Sequence, residues 1–173
     1  LNKVLVATSV QSNWQIVMKD ANQVFSHALV VFPLLGYKWL SLLQSTIHEI
    51  WARHCSSSFG NALRYNPSDA FETFPLPNNF VNQDINNEIN KMQQLGKKLH
   101  EYREEFMQRN NFGLTTTYNL INDPRVNSED ILFLRSLHCQ IDKEVLKEYG
   151  WGDICPEYGF SIENIDIDDE TQL

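Results

Sequence analysis

The amino-acid sequence predicts an α+β protein, in which a short antiparallel β segment and one helix precede a helical hairpin or small helical domain. Residues 1–35 contain β-branched and apolar runs separated by polar turns, which is the pattern of neighbouring strands. Residues 81–149 contain apolar side chains at steps of three and four, which is the pattern of amphipathic helices. Between them, residues 56–77 hold three of the six prolines and form an irregular segment.

The first half is predicted to begin with three strands, at residues 3–10, 14–18 and 24–32. Their spacing of about ten residues indicates an antiparallel meander, and we expect its first strand to pair with sequence upstream. Pro33 and Gly36 end the third strand, and a helical period follows over residues 37–55. The side chains predicted to face the core from this helix are Trp39, Leu42, Leu43, Ile47, Ile50 and Trp51.

The irregular segment is rich in aromatic side chains, namely Phe59, Tyr65, Phe71 and Phe74. A solvated linker is poor in aromatic residues, so we expect this segment to pack against the body of the protein. We therefore predict a packed hinge at residues 66–80, between a first domain at residues 1–65 and a helical domain at residues 81–154.

The second half is predicted to contain two long antiparallel helices. The first covers residues 81–109, and Gly96 within it marks either a weak point or a position of close packing. Its apolar stripe consists of Val81, Ile85, Ile89, Met92, Leu95, Leu99, Tyr102 and Phe106. The second helix begins after Ser128, a suitable N-cap, and runs to Tyr149, where Gly150 supplies a stop. Residues 155–173 follow as an acidic tail, expected to be a surface extension.

The composition favours a cytoplasmic protein without a membrane span. The longest apolar run, residues 28–35, is far too short to cross a bilayer. The three cysteines are scattered along the chain, which suits a reducing compartment better than a disulfide framework. The chain enters strand-like sequence directly at Leu1, so we expect it to be a piece of something longer.

Charge is distributed unevenly along the chain. Residues 1–65 hold five Lys or Arg and two acids, a net charge of +3. Residues 66–156 hold nine Lys or Arg and fourteen acids, a net charge of −5, and the remaining tail holds six acids and no base. A site for a polyanion is therefore expected in the first half, although the whole chain carries a net charge of −8.

No sequence motif predicts catalysis or metal binding. The glycine-rich patterns that cradle phosphates are absent. The pair Asn66-Pro67 only partly matches the Asn/Asp-Pro-Pro-aromatic motif of adenine methyltransferases, and we interpret it as a turn. The pairs His54-Cys55 and His138-Cys139 are adjacent, whereas zinc ligands need spacings that let their side chains converge. Cys55 is the one candidate nucleophile, and an inert role is the favoured interpretation.

The polar side of the helix at residues 37–55, with the segment after it, is the candidate DNA-binding surface. Cationic side chains hold phosphates, and amide and guanidinium groups can read base edges. The alternative is an ordinary solvated helix face. The candidate DNA contacts are Lys38, Gln44, His48, Arg53, Ser57 and Arg64.

Several phrases, in the same order, resemble the C-terminal part of fused restriction–modification DNA methyltransferases of the MmeI-like kind. The resemblance covers residues 38–154 and is looser over residues 1–35. The phrases are Leu43-Gln44-Ser45 with His48 and Trp51, Leu63-Arg64-Tyr65 with Ser68-Asp69, Phe71-Glu72-Thr73-Phe74-Pro75-Leu76-Pro77, Leu99-His100-Glu101-Tyr102-Arg103, Gly113-Leu114-Thr115 with Tyr118-Asn119, Asp123-Pro124, Leu134-Arg135 with Leu137-His138, and Asp142 ahead of Tyr149-Gly150-Trp151.

The resemblance implies a parent enzyme that transfers a methyl group from S-adenosylmethionine to adenine N6 at a specific DNA sequence, with a nuclease fused in some members. Residues 1–65 would then be the end of the target-recognition domain, followed by the C-terminal helical domain. The implied partners are double-stranded DNA and the catalytic methyltransferase domain of the same polypeptide. S-adenosylmethionine would bind in the parent enzyme and not in this piece, for which no catalytic residue is expected. The alternative is a helical protein-interaction module without direct DNA contact.

Overall fold

Two small antiparallel sheets and six helices make up the part of the chain that the computed structural model describes, residues 2–78, 80–82 and 90–158. This mixed architecture with a helical C-terminal part confirms the predicted α+β class. The strands are β1 (Lys3–Thr8), β2 (Val10–Gln11), β3 (Ile16–Asp20), β4 (Leu29–Phe32), β5 (Ser57–Phe59) and β6 (Ala62–Arg64). The helices are α1 (Tyr37–Gln44), α2 (Thr46–Cys55), α3 (Pro67–Ala70), α4 (Lys91–Asn110), α5 (Leu114–Asn122) and α6 (Glu129–Glu148).

The first sheet has the order β3-β1-β4, with β1 in the centre. Val6 on β1 lies opposite Val17 on β3 and opposite Val31 on β4. The predicted meander is therefore wrong, as is the upstream partner for β1, because both edges of this strand are paired within the chain. The physical reason is that β1 has four consecutive buried residues, which suits it to the sheet centre.

The second sheet has the order β2-β6-β5. Ser9 separates β1 of the first sheet from β2 of the second. The predicted strand at residues 3–10 is divided there, and its last residue belongs to β2. Strands β5 and β6 form a hairpin around Gly60, whose φ of 60° is the left-handed conformation that favours glycine. This hairpin lies in the segment predicted to be irregular.

The helix predicted over residues 37–55 is two helices that meet at Ser45. Ser45 has an extended conformation, with ψ of 153°, and its side chain accepts a hydrogen bond from the His48 N–H at the start of α2. The Asp142 carboxylate on α6 accepts the Thr46 N–H at 2.8 Å, so a distant helix also caps α2. Ile50 was predicted to face the core, which is wrong, since its side chain is 63% exposed on α2.

Of the four aromatic side chains that the irregular segment was expected to pack, Tyr65, Phe71 and Phe74 do so, whereas the expectation is wrong for Phe59, which is 73% exposed. The ring of Phe71 meets Phe32 at 5.2 Å, and the ring of Phe74 meets His48 at 4.6 Å, both edge to face. The Tyr149 hydroxyl donates to the Pro75 carbonyl at 2.7 Å. One continuous cluster of buried apolar side chains contains residues from both halves of the chain.

Helices α4 and α6 form the predicted antiparallel pair. Lys91 lies 3.8 Å from Glu144 at one end, and Arg109 lies 2.8 Å from Asp130 at the other. The first of these helices begins at Lys91 instead of residue 81. Val81 lies in a single 3-10 turn and is 65% exposed, so its predicted core position is wrong. The predicted stripe residues Ile85 and Ile89 lie outside the described residues.

Two glycines explain how these helices pack and end. A Cβ on Gly96 would lie 2.2 Å from the Tyr37 carbonyl oxygen, so the close-packing interpretation of this glycine is correct. Gly150 has φ of 76° and ends α6, while the Trp151 N–H returns to the Leu146 carbonyl at 2.9 Å. Ser128 occupies the predicted N-cap of α6, although its hydroxyl forms no capping hydrogen bond.

Most of the predicted acidic tail, residues 159–173, lies outside the described residues. Tyr158 is the last residue described, and its hydroxyl donates to Asp142 at 3.0 Å. Among the described residues, no helix combines the length and the apolar character that crossing a bilayer requires.

Candidate nucleic-acid interface

The six predicted DNA contacts come from four consecutive elements of the chain. Two are on α1, two on α2, and one each on β5 and β6. The structure divides them into a buried group and an exposed group. The buried residues are Lys38, Gln44 and His48, and the exposed ones are Arg53, Ser57 and Arg64.

Lys38 is 1% exposed at the start of α1. Its ammonium group donates to the Phe80 carbonyl at 2.7 Å and lies 4.9 Å from the centre of the Phe80 ring. The Lys38 N–H also donates to the Gln93 side chain at 2.8 Å. The charge of this lysine therefore holds the 3-10 turn against α1, and its backbone N–H holds the start of α4.

Gln44 ends α1 in a buried network with β3. Its Oε1 accepts the Ile16 N–H at 3.0 Å, and its Nε2 donates to the Trp14 carbonyl at 3.2 Å. Arg103 of α4 is also fully buried, and its guanidinium donates to the Ile16 carbonyl at 2.9 Å and to the Tyr118 hydroxyl at 2.7 Å. Both side chains thus satisfy backbone groups of the strand region, which would otherwise be buried without partners.

His48 is fully buried among aromatic rings. Its Nε2 lies 3.1 Å from the Tyr65 hydroxyl, and its ring lies 5.6 Å from Trp14 and 4.6 Å from Phe74. Burial lowers the pKa of His48 to about 3, because the charged imidazolium would lose its hydration. His48 is therefore a neutral core residue at physiological pH.

The exposure expected for Lys38, Gln44 and His48 is wrong, because other elements cover the polar side of the helix pair. The start of α4 lies over Lys38, β3 lies over Gln44, and the aromatic segment at Phe74 lies over His48. Lys38 and Gln44 bond to backbone groups around them, His48 bonds to the Tyr65 hydroxyl, and burial leaves none of the three at the surface.

Arg53 is held in place on the exposed side of α2. Its guanidinium donates to Glu49 at 2.8 Å and to the Ser12 carbonyl at 2.7 Å, and 37% of its side chain is exposed. The ion pair with Glu49 offsets part of its charge. Arg53 therefore stabilises the loop between β2 and β3 and leaves only part of its guanidinium at the surface.

Arg64 and Ser57 lie opposite each other on the β5–β6 hairpin. Both are exposed, and neither side chain has a hydrogen bond or ion pair with any residue that the structure describes. They line a surface groove together with Ser9, Tyr65 and Asn66. The groove combines the Arg64 guanidinium with the Ser9 and Ser57 hydroxyl groups, whereas the Asn66 amide already donates to the Asp69 carboxylate at 2.6 Å. It is the strongest candidate surface for an anion in the first half.

Phe59 belongs to this surface and was not among the predicted contacts. It lies at the turn of the β5–β6 hairpin and is 73% exposed. The sequence signal was the phrase Phe59-Gly60-Asn61, a glycine-containing turn between two short strand-like runs. Because Phe59 is close in sequence to prolines and to other aromatic residues, the sequence favoured a packing role for its ring instead.

Arg103 was also missed, although the sequence carried a signal for it. Its position falls on the apolar stripe of α4, four residues after Leu99 and three before Phe106, both of which are buried. A charged residue on such a stripe is a candidate for a buried hydrogen-bonding centre.

A polar cleft of about 140 Å³ lies on the other side of Gln44 and is lined by Thr46, Tyr118, His138 and Tyr158 among others. The His138 Nε2 lies 3.4 Å from the Tyr118 hydroxyl, and burial lowers the pKa of His138 to about 3. The Tyr158 hydroxyl and the Thr46 N–H donate to Asp142 instead, so the polar groups of this cleft are held in structural hydrogen bonds.

The remaining sequence candidates for chemistry have structural roles. Asn66 caps α3 with its side-chain oxygen, and Pro67 occupies the first helical turn, so this pair starts a short helix. Cys139 is buried, and burial raises its pKa to about 12, so its thiol is not activated. Within residues 2–78, 80–82 and 90–158, no group of three or more His, Cys, Asp or Glu could hold a metal ion.

No protein-family model and no curated protein sequence matches the chain. Among solved structures, its fold is similar to part of the Type IIL restriction-modification enzyme MmeI, whose structure was determined in complex with DNA. The TM-score is 0.60 and the sequence identity is 23%, over 91% of this chain and 19% of that enzyme. The chain thus spans about a fifth of the length of MmeI, and the likeness establishes its fold.

Proposed function

We propose that this chain is a DNA-contacting, non-catalytic segment of a site-specific adenine-N6 DNA methyltransferase of a restriction–modification system. In this proposal the catalytic domain and its S-adenosylmethionine lie elsewhere in the parent polypeptide. The chain itself contributes a surface that holds double-stranded DNA. The fold similarity to part of MmeI and the resemblance of the phrases around Phe71–Pro77 support this class of parent.

The observation that carries the proposal is the groove at Ser57 and Arg64. A guanidinium donates two parallel hydrogen bonds to phosphate oxygens, and adjacent hydroxyl groups add further donors. Arg64 has no internal partner among the described residues, so its charge is available without breaking an existing ion pair. Arg53 contributes a second, weaker cation on the same half of the chain.

The local charge supports a polyanionic ligand at this place. No acidic residue occurs between Glu49 and Asp69, and two arginines lie in that interval. The acidic residues are concentrated in the helical half and in the tail, where they would repel DNA. A duplex is therefore expected to lie along the second sheet and away from α4 and α6.

The test is duplex DNA binding by the chain at several salt concentrations. Arg64→Ala should weaken binding and reduce the slope of log K against log salt by about one, because one fewer phosphate is neutralised. Arg53→Ala should have a smaller effect, since Glu49 already offsets part of its charge. Arg125→Ala is the control for net charge, because its side chain is 87% exposed between α5 and α6 and its ion pair with Asp123 makes the expected effect small.

An equal loss of affinity in the Arg64 and Arg125 variants would show that only net charge matters and would contradict the assignment of the groove. Unchanged affinity and slope in Arg64→Ala would contradict it as well. A wild-type chain that binds no duplex even at low salt would contradict the proposed function as a whole.

A second candidate function is protein docking by the helical half, and exposed apolar residues favour it. Trp151 is 45% exposed, Ile154 is 51% exposed and Leu76 is 36% exposed. Trp151 stacks on Tyr149 at 4.8 Å, and Tyr149 in turn bonds to Pro75, beside Leu76. We propose that this apolar surface docks onto the catalytic methyltransferase domain of the same polypeptide.

Mixing the chain with the separately produced remainder of the parent polypeptide would test this docking. Trp151→Ser should weaken their association about tenfold or more, as expected for a central aromatic anchor. Val24→Ser, at an equally apolar but fully exposed position in the β3–β4 loop, should leave it unchanged. Equal association of both variants would rule out the Trp151 surface as the docking site.

A further inference from the structure

The tip of the β5–β6 hairpin exposes a large apolar side chain in polar surroundings. Phe59 is 73% exposed, and its strand partner Ala62 is small, so no neighbour on the opposite strand covers the ring. Gly60, with its positive φ, and Asn61 close the turn in a narrow loop. The ring therefore lies at the tip of the β5–β6 hairpin, beyond the residues of β6 that pair with β2.

Residues that alternate along the hairpin lie on one face, because side chains of a strand point to opposite faces in turn. The pairing register places Ser57 opposite Arg64 and Phe59 opposite Ala62. Val10 of β2 lies opposite Arg64 on its other side and is 44% exposed. This outer face thus combines an apolar tip with an exposed cation and a hydroxyl group at its base.

We propose that the β5–β6 hairpin enters a groove of duplex DNA and inserts Phe59 as an apolar wedge at a base step, while Arg64 and Ser57 hold the adjacent phosphate backbone. This inference rests on the proposed function and assigns a distinct role to Phe59. Two-stranded ribbons fit DNA grooves, and phenylalanine is among the side chains that enter between neighbouring base pairs.

The surroundings of Phe59 favour DNA over a protein partner. A protein partner would be expected to bury a large contiguous apolar patch. On this face the apolar neighbours of Phe59 are the small Ala62 and, across Arg64, Val10, while Ser57, Ser58, Asn61 and Arg64 are polar. A cation and several hydroxyl and amide groups around one aromatic ring match a duplex, which offers phosphates next to the flat faces of bases.

A wedge separates stacked base pairs, so the energy of binding depends on how easily the step opens. Steps from pyrimidine to purine, such as TA, unstack and kink readily, whereas runs of A are stiff. A wedge at Phe59 therefore predicts a preference for flexible duplexes. The phosphate contacts alone predict no such preference, because they touch only the backbone.

The experiment compares two duplexes of equal length and base composition, one with a central TATATA and the other with a central AAATTT. The wild-type chain should bind the alternating duplex about fivefold more tightly. Phe59→Ala should remove this preference and leave the salt dependence unchanged. Arg64→Ala should weaken binding to both duplexes by a similar factor and keep the preference.

Val24→Ala is the matched control, because Val24 is a fully exposed apolar residue in the loop between β3 and β4. It should retain the affinity and the preference of the wild type. Since Phe59 is mostly exposed, its replacement is not expected to prevent folding, and circular dichroism would verify this.

The outcomes separate the two proposals. If the chain binds DNA with the expected effect of Arg64 but Phe59→Ala matches the wild type, the wedge is overturned and the proposed function stands. If neither duplex is bound, both are overturned. If Phe59→Ala binds both duplexes like the wild type but loses its association with the remainder of the parent polypeptide, the wedge is overturned and the hairpin is a protein contact.

Discussion

The polar side of α1 and α2 and the β5–β6 hairpin are separated by only a few residues, yet they use their polar side chains in opposite ways. Lys38, Gln44 and His48 are almost fully buried and bond to backbone or aromatic neighbours. Ser57 and Arg64 are exposed and have no side-chain partner among the described residues. From the sequence alone, both regions are equally good candidates for binding an anion.

The difference between these regions arises from what covers them. Helix α4 and strand β3 pack on the helix pair, so Lys38 and Gln44 form their hydrogen bonds inside the protein. The second sheet carries nothing on its outer face within the described residues, and polar groups there remain hydrated. Polarity on a predicted helix face is therefore weak evidence for a binding surface until the tertiary contacts are known.

The largest effect that this comparison predicts is loss of stability when Gln44 is made apolar. Gln44→Leu would leave the Ile16 N–H and the Trp14 carbonyl buried without partners. Each orphaned group costs about 1–3 kcal/mol, so we expect the free energy of unfolding to fall by about 3 kcal/mol. Urea denaturation followed by circular dichroism would measure it.

Gln108→Leu is the control for this change, since Gln108 is an exposed residue on α4. Its effect should stay within about 0.5 kcal/mol. If Gln44→Leu were as mild as this control, Gln44 would have to be regarded as a free surface residue, and the contrast between the two regions would fail.

The next effect is a dependence of stability on pH that originates from His48. Its pKa is about 3 in the folded chain and near 6.5 in the unfolded chain. Between these values only the unfolded state binds the proton, so stability falls as the pH drops below about 6.5. From pH 7 to pH 5 this histidine should lower the free energy of unfolding by about 2 kcal/mol.

His48→Phe should therefore make the loss of stability between pH 7 and pH 5 smaller by about 2 kcal/mol, which denaturation at both pH values would measure. His138 also lowers the free energy of unfolding as the pH falls from 7 to 5, since its pKa is lowered to about 3 as well. Asp142 acts in the opposite direction, because burial raises its pKa to about 6 and the folded state takes up that proton first. An unchanged pH dependence in His48→Phe, with His27→Phe as the exposed control, would contradict a buried His48.

The smallest effect is expected at the hairpin. Ser57→Ala and Phe59→Ala remove exposed side chains that pack on little, so each should change the free energy of unfolding by less than about 0.5 kcal/mol. The same denaturation experiment measures both variants. A loss above about 2 kcal/mol in Phe59→Ala would indicate that this ring is part of the core, and its proposed role toward DNA would lose its basis.

The sequence was informative where structure depends on local chemistry. The apolar spacing of α4 and α6, the stop at Gly150 and the packing of Phe71 and Phe74 followed from patterns a few residues long. The order β3-β1-β4 did not follow, because the choice of a strand partner depends on contacts between distant residues. The break at Ser45 was missed because a serine interrupts a helix only weakly, and the Asp142 contact that supports the break comes from another helix.

The candidate site was predictable in part for the same reason. Arg64 and Ser57 could be proposed from charge and residue type, since the hairpin is formed by local sequence. The burial of Lys38 and Gln44 could not be foreseen, because it is caused by Phe80, Gln93 and Arg103, which are distant in sequence. Long-range packing decided which polar residues remained at the surface.

The network of Gln44 and Arg103 also has a consequence for self-association. Strand β3 lies at the outside of its sheet, and the N–H and carbonyl of Ile16 are the groups that a further strand would use. Here a glutamine and an arginine occupy these groups, in place of a neighbouring backbone. The two side chains occupy the Ile16 part of this edge, so a further strand cannot pair with β3 at that residue.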